Sequence, residues 1–278
     1  MSAKKDELID KGYCLFQNVL SPELLAQLKA DSARLADARL QEDLKVNRST
    51  GSMIDLTELE QCVDLVALPA ALDALKSMGY DDPRFTSGYV ISKPAKSPPL
   101  FWHHDWACWG DPGAFDAVPQ QLFLMYYLVD TTPENGCLRV LPGSHVHENP
   151  LHRELSEAHS QELSAAKNLD RVEFSSRPDE VDVCVKAGDL VIGDSRILHA
   201  SHSNDSDARR TVLTLWFHPD MAALDEGTQG YIKGLASKVP EHWTAEKQQL
   251  FKKILATYEG DVPALPWNRS RPTRQVPA

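Results

Sequence analysis

From Phe85 to Phe217 the chain is a succession of short β-forming runs, each closed by a residue that interrupts regular structure. "SGYVISK", "PLFWHHDW", "QLFLMYYLVD", "CLRVL", "VDVCVK", "DLVIGDS" and "RTVLTLWF" are rich in branched and aromatic residues and too short for stable helices. Pro94, Asn135-Gly136, Pro142-Gly143 and Ala187-Gly188 mark the turns. So many short strands at such spacing predict a mainly β fold with flanking helices, closed as a double-sheet barrel or cupin-like jelly roll.

The flanks read differently. After the β-forming "GYCLFQNVL", Ser21-Pro22 is a cap followed by a first-turn proline, and Leu24, Leu25, Leu28 and Leu35 recur at helical spacing, predicting a helix over about 22–39. "ALDALKSMG" and, beyond Pro219, "TAEKQQLFKKILATY" are also helical, while 149–170 is a polar, helical insertion or lid. The expected organisation is one domain over 1–278: a helical flank to about 80, a β core over about 85–219 and a helical extension over about 220–278.

A chain with 42% hydrophobic and 25% charged residues has the material for a sizeable core. The net charge of −11 argues against nucleic acid or an anionic membrane surface as partner. Five widely spaced cysteines with no CxxC pair, no stretch resembling a membrane span and a start without an apolar signal core lead us to expect a cytoplasmic protein with free thiols.

"LFWHHDWACWG" (100–110) places two histidines and an aspartate in the most aromatic part of the chain. Burying such groups without partners costs on the order of 2–7 kcal/mol each, so a metal ion is the leading candidate to offset that cost. On a strand, His103 and Asp105 share a face and His104 takes the other. A third ligand must come from elsewhere, and His199, closing the apolar run of "GDSRILHASHSN", is the best placed; His202 competes but is farther from that run. Two histidines and one carboxylate form the facial triad suited to Fe(II). Arg210 follows across a polar turn, where its planar fork can grip a carboxylate.

The ordered segments "SGYVISKP", "FWHHDW", "ENGCLRVLPGSH", "AGDLVIGDSRILHASHSN" and "RRTVLTLWF" resemble the phytanoyl-CoA dioxygenase family of Fe(II)/2-oxoglutarate oxygenases, which includes ectoine hydroxylase. The resemblance runs from about Gly12 to Phe217 and implies a double-stranded β-helix, or jelly roll, with iron inside one end. It implies Fe(II), 2-oxoglutarate and O2 as cofactor and cosubstrates, release of succinate and CO2, and hydroxylation of an unactivated C–H. It places the iron ligands on His103, Asp105 and His199 and the anchor of the distal 2-oxoglutarate carboxylate on Arg210, with Arg209 the neighbouring alternative. Lys93, Tyr89, Met125 and Ser201 fall on positions around the cosubstrate. His104 stands where relatives often carry Gln, and Met125 where some carry Trp. Asp105 is retained, whereas related halogenases replace that carboxylate with a small residue.

For the substrate pocket the expected walls are Trp106, Trp109 and Tyr127, with Tyr126 on the opposite face of the same strand. His145 is expected to stabilise a turn, and Cys108 to be inert packing. The expected substrate is a small metabolite, since no Lys/Arg cluster suits a CoA phosphate. An acyl-CoA hydroxylase of the same family and a cupin-like metalloenzyme that does not use 2-oxoglutarate are the alternatives; a non-catalytic binding module is a third. Oligomeric state is not legible.

Overall fold

The computed structural model describes residues 2–39, 41–156 and 158–272. Among the described residues ten strands are present: β1 (Tyr13–Phe16), β2 (Ile54–Asp55), β3 (Arg84–Lys93), β4 (Leu100–His103), β5 (Leu122–Tyr127), β6 (Leu138–Val140), β7 (Val181–Val183), β8 (Leu190–Asp194), β9 (His199–Ser201) and β10 (Arg210–His218). Each of the seven runs picked out between Phe85 and Phe217 contains a strand. Six strands form one sheet in the order β1-β8-β5-β10-β3-β2, and four form a second in the order β4-β9-β6-β7.

These sheets correct the expected closed jelly roll. Both are open, with β1 and β2 at the edges of the larger and β4 and β7 at the edges of the smaller; among the described residues no strand ladder joins them. A barrel needs backbone pairing all the way round, whereas here the sheets pack face to face through side chains. Phe123, Met125 and Tyr127 of β5, Val191 of β8 and Val212 of β10 pack against Leu138, Val140 and Val183 of the smaller sheet. The fold is mixed α/β rather than mainly β, because more residues lie in helices than in strands.

Helices cover the other face of the larger sheet. Alternation along β5 turns Leu122, Leu124 and Tyr126 toward Leu28, Leu35, Leu65 and Leu75 of the N-terminal helices. The helix expected over about 22–39 runs Pro22–Asp37, and its cap is Ser21, whose hydroxyl accepts from the Leu24 amide. The segment 149–170 is not one helix but holds two short ones, Leu151–Glu154 and Gln161–Ser164. The C-terminal part supplies helices Glu226–Leu235 and Ala245–Ile254 and then an extended strap. Among the described residues no helix is long and apolar enough to cross a membrane.

Candidate metal centre and its cavity

The site is built where the two sheets face each other. β4 and β9 pair antiparallel with His103 directly opposite His199, so two imidazoles from segments far apart in sequence become cross-strand neighbours with ring centroids 4.2 Å apart. Asp105 lies just past β4, where the backbone turns away: its amide and that of Trp106 both donate to the Ser195 carbonyl, at 2.8 and 2.9 Å. That carbonyl is fixed by a buried ion pair between Asp194 and Arg196, whose guanidinium also donates to the carbonyls of Ala114 and Asp116. The turn after β8 thus positions the carboxylate.

The Asp105 carboxylate lies 3.5 Å from His103 Nε2 and 3.8 Å from His199 Nε2, and one ligand atom from each of the three residues falls within 4.8 Å of the others. In both imidazoles Nδ1–H donates to a backbone carbonyl two residues earlier, His103 to Phe101 at 3.0 Å and His199 to Ile197 at 3.1 Å. A carbonyl only accepts, so these bonds place the proton on Nδ1 and leave the Nε2 lone pairs facing the carboxylate. Burial, followed by the neighbouring charge of His199, holds His103 well below the usual imidazole pKa, keeping it neutral and able to ligate. The Trp216 indole N–H donates to Asp105 Oδ2 at 2.9 Å and fixes the carboxylate's rotation. Two imidazole nitrogens and one carboxylate suit Fe(II).

The trio opens into a cavity of about 600 Å³. Arg210, Val212, Thr214 and Trp216, alternate residues of β10, line it, because a strand turns alternate side chains to one face. Arg210 is 5% exposed, its Nε has no partner, and Nη2 is a long 3.5 Å from Ser201 Oγ. Burial lowers its pKa, and among the described residues no carboxylate pairs with it. A buried guanidinium without a counterion fits the distal carboxylate of a keto acid. Arg209 points away, pairing with Asp37 at 2.6 Å.

The other expected residues divide. Tyr89, Met125, Tyr127 and Ser201 line the cavity. Tyr127 belongs to the Arg210 end, where the guanidinium counteracts a rise in its pKa caused mainly by burial. Lys93 is not brought to the cavity wall: its ammonium donates to the carbonyls of Ser49, at 2.6 Å, and Pro98. Burial first, and then the charge of Arg210, lower its pKa. Trp106 and Trp109 pack with Cys108, Ala114 and Phe115 away from the cavity. His104 does not line the cavity, its Nδ1 bonded to the Trp106 carbonyl at 3.1 Å, and His145 bonds the Ile9 carbonyl at 2.9 Å. Burial pushes the Cys108 thiol up to about 12. His202 lies in a second His/Cys/Asp group with Cys137 and Asp182, outside the cavity, and bonds Asp182 at 2.7 Å.

Two parts of the aromatic wall, Trp216 and His159, escaped sequence reasoning. Trp216 and Tyr89 meet edge to face at 5.9 Å, and His159, from the loop between the two short helices, stands against His103 at 5.2 Å. Trp216 lay within a quoted strand and on the face of Arg210, so alternation alone was enough to find it. His159 carried no periodic signal. Trp267 and Arg269 reach the cavity from the C-terminal strap.

The family model for phytanoyl-CoA dioxygenase (PhyH) matches residues 9–212. The chain belongs to the phytanoyl-CoA dioxygenase family. Fe(II)- and 2-oxoglutarate-dependent dioxygenase activity on a small-molecule substrate comes with that membership. Among relatives in this family, ectoine dioxygenase of Nocardia farcinica is 26% identical over 221 residues, 74% of each chain. A probable alpha-ketoglutarate-dependent hypophosphite dioxygenase of Stutzerimonas stutzeri is 25% identical over 225 residues, 76% of each. The non-heme alpha ketoglutarate dependent epimerase SnoN from nogalamycin biosynthesis shares the fold, with a TM-score of 0.57 at 21% identity over 77% of this chain and 81% of that one.

Proposed function

We propose that His103, Asp105 and His199 hold the Fe(II), that Arg210 with Ser201 seats the distal carboxylate of 2-oxoglutarate, and that the enzyme hydroxylates an unactivated C–H of a small metabolite. The observation that carries this reading is one cavity holding both a two-histidine, one-carboxylate cluster and a buried guanidinium with no acid partner among the described residues. When bound, Fe(II) and 2-oxoglutarate react with O2 to supply the oxidant, the keto acid leaving as succinate and CO2.

The chain's own residues then do the positioning. Arg210 neutralises the distal carboxylate and fixes the cosubstrate in register, and Ser201 offers a hydroxyl beside it. Lys93, tied to two backbone carbonyls, holds the Ser49 and Pro98 segments together behind that end rather than touching the cosubstrate. Trp216 keeps the Asp105 carboxylate in one rotamer. Tyr89, Trp216 and His159 wall the space next to the metal ligands, and the buried setting excludes bulk water.

A cavity of about 600 Å³ shared with the cosubstrate suits a small molecule better than an acyl-CoA. Arg210 favours 2-oxoglutarate use over a cupin-like reaction without a keto acid, which has no carboxylate to anchor. Both sheets and the C-terminal strap contribute to one cavity, which supports a single working domain. Five free cysteines support a cytoplasmic location. Incubation of the purified chain with Fe(II), 2-oxoglutarate and metabolite pools tests the reading: succinate should form together with a product one oxygen heavier. Succinate formation with no oxygenated product from any pool would argue against hydroxylation.

A further inference from the structure

The C-terminal strap lies beyond the stretch matched by the family, yet it reaches the metal cavity. It is fixed on both sides of Arg269. The Asn268 amide donates to the Ala107 carbonyl at 2.9 Å. The Arg271 guanidinium donates to the carbonyls of His147 at 2.8 Å and Val146 at 3.2 Å and sits 5.6 Å over the Trp109 ring. Between these anchors, Arg269 lines the cavity beside His103 and His159, with its Cζ 5.7 Å from the Trp267 ring.

Among the described residues, no hydrogen bond or ion pair engages the Arg269 guanidinium, and its buried Nε has no acceptor. Its charge is close enough to act on its neighbours: burial first, then Arg269, lower His159 to about 4. The cavity therefore holds two cations without acid partners, Arg210 and Arg269. Arg210 belongs to the strand matched by the family and neighbours Tyr127 and Ser201. Arg269 belongs to the segment beyond the matched residues 9–212. The shared cosubstrate accounts for the first cation and leaves the second for whatever is specific to this enzyme.

We infer that Arg269, backed by Trp267, is an oxyanion subsite for the substrate, so that this enzyme acts on a small molecule carrying a carboxylate or a phosphonate-type group. A planar guanidinium grips either bidentately, and anchoring the anion at the strap leaves the rest of the molecule to reach toward the metal ligands. Thr50 and Ser160 line the same cavity and can donate to remaining oxyanion lone pairs. The inference rests on the proposed cavity function only for the identity of the bound molecule as substrate; anion binding by Arg269 is testable without it.

Calorimetric titration of the full chain with butyrate, propylphosphonate and the uncharged isostere butyramide tests this, with Fe(II) and 2-oxoglutarate loaded anaerobically and again with neither present. The unaltered chain should bind an anion and not butyramide, and the preferred anion identifies the oxyanion type. Arg269→Gln should weaken that binding at least about tenfold, Arg269→Lys by less, and neither should change 2-oxoglutarate affinity. Equal binding of butyramide, unchanged anion affinity in Arg269→Gln, or no anion binding by the unaltered chain overturns the inference. Weakened 2-oxoglutarate in place of weakened anion would move Arg269 to the cosubstrate and overturn it equally. Failure of the unaltered chain to take up Fe(II) or 2-oxoglutarate counts against the metal-centre reading instead, and the unloaded titration still decides for or against Arg269.

Discussion

Replacing Arg210 with methionine separates ligand binding from stability, because the two should move in opposite directions. Arg210 is 5% exposed, its Nε lacks an acceptor and its one side-chain contact, to Ser201, is 3.5 Å long. Removing one partner of a buried, hydrogen-bonded charge pair costs about 2–5 kcal/mol of binding, so the dissociation constant for 2-oxoglutarate should rise roughly 30- to 5000-fold. Without ligand, an unsatisfied buried polar group costs about 1–3 kcal/mol, and methionine removes that cost while filling much of the volume. The ligand-free Arg210→Met chain should therefore melt at or above the unaltered chain, at about 2–4 °C per kcal/mol, while 2-oxoglutarate should no longer raise its melting temperature. Anaerobic calorimetry and thermal melts read both quantities. Unchanged 2-oxoglutarate affinity, or a ligand-free melt many degrees lower, would refute the view that this guanidinium is held for a ligand rather than for the fold.

Three further perturbations probe the supporting structure. Trp216→Phe removes the indole donor from Asp105 while keeping an aromatic wall, and should weaken Fe(II) binding about 10- to 100-fold in a chelator competition. Gly193→Ala places a Cβ 2.1 Å from the Phe123 ring, which itself stands 5.3 Å from the His199 ring, so it should destabilise by about 1–3 kcal/mol in urea unfolding and reduce metal affinity with it. Burial raises the pKa of Glu173, but hydrogen bonds from Arg171 and Ser156 outweigh it and hold the carboxyl at about 2, below the usual 4.5. Its folded-state pKa is depressed, so the stabilisation is present above about pH 4.5 and is lost as pH falls toward about 2; acid unfolding of Glu173→Gln should show a flatter pH dependence in that window, and an unchanged slope would contradict the assignment.

Much of the site was legible because strand alternation is a local rule. Along β10 it chose Arg210 over Arg209, whereas Asp105 reaches His103 through the turn after β4, which alternation does not describe. The pairing of one run with another is not written in either run's pattern, so the sheets' failure to close was not legible, nor was the two-residue strand β2. Trp106 and Trp109 misled because closeness in sequence to the ligands was taken for closeness in space: past His103 the backbone leaves the strand and carries them into a separate cluster. Lys93 misled through its charge, since its ammonium is satisfied by backbone carbonyls that no sequence pattern announces. The strap bearing Arg269 has neither helical nor strand periodicity, and only the folded chain reveals where it goes.

In the proposed metal centre one ferrous ion sits between His103, Asp105 and His199. Iron stoichiometry after anaerobic loading and desalting tests it most directly when His199→Ala is set against His202→Ala, two substitutions three residues apart. One Fe(II) per chain, with a 2-oxoglutarate charge-transfer band, is expected in the unaltered protein and in His202→Ala, and neither in His199→Ala. Full iron retained in His199→Ala, or lost in His202→Ala, would contradict it.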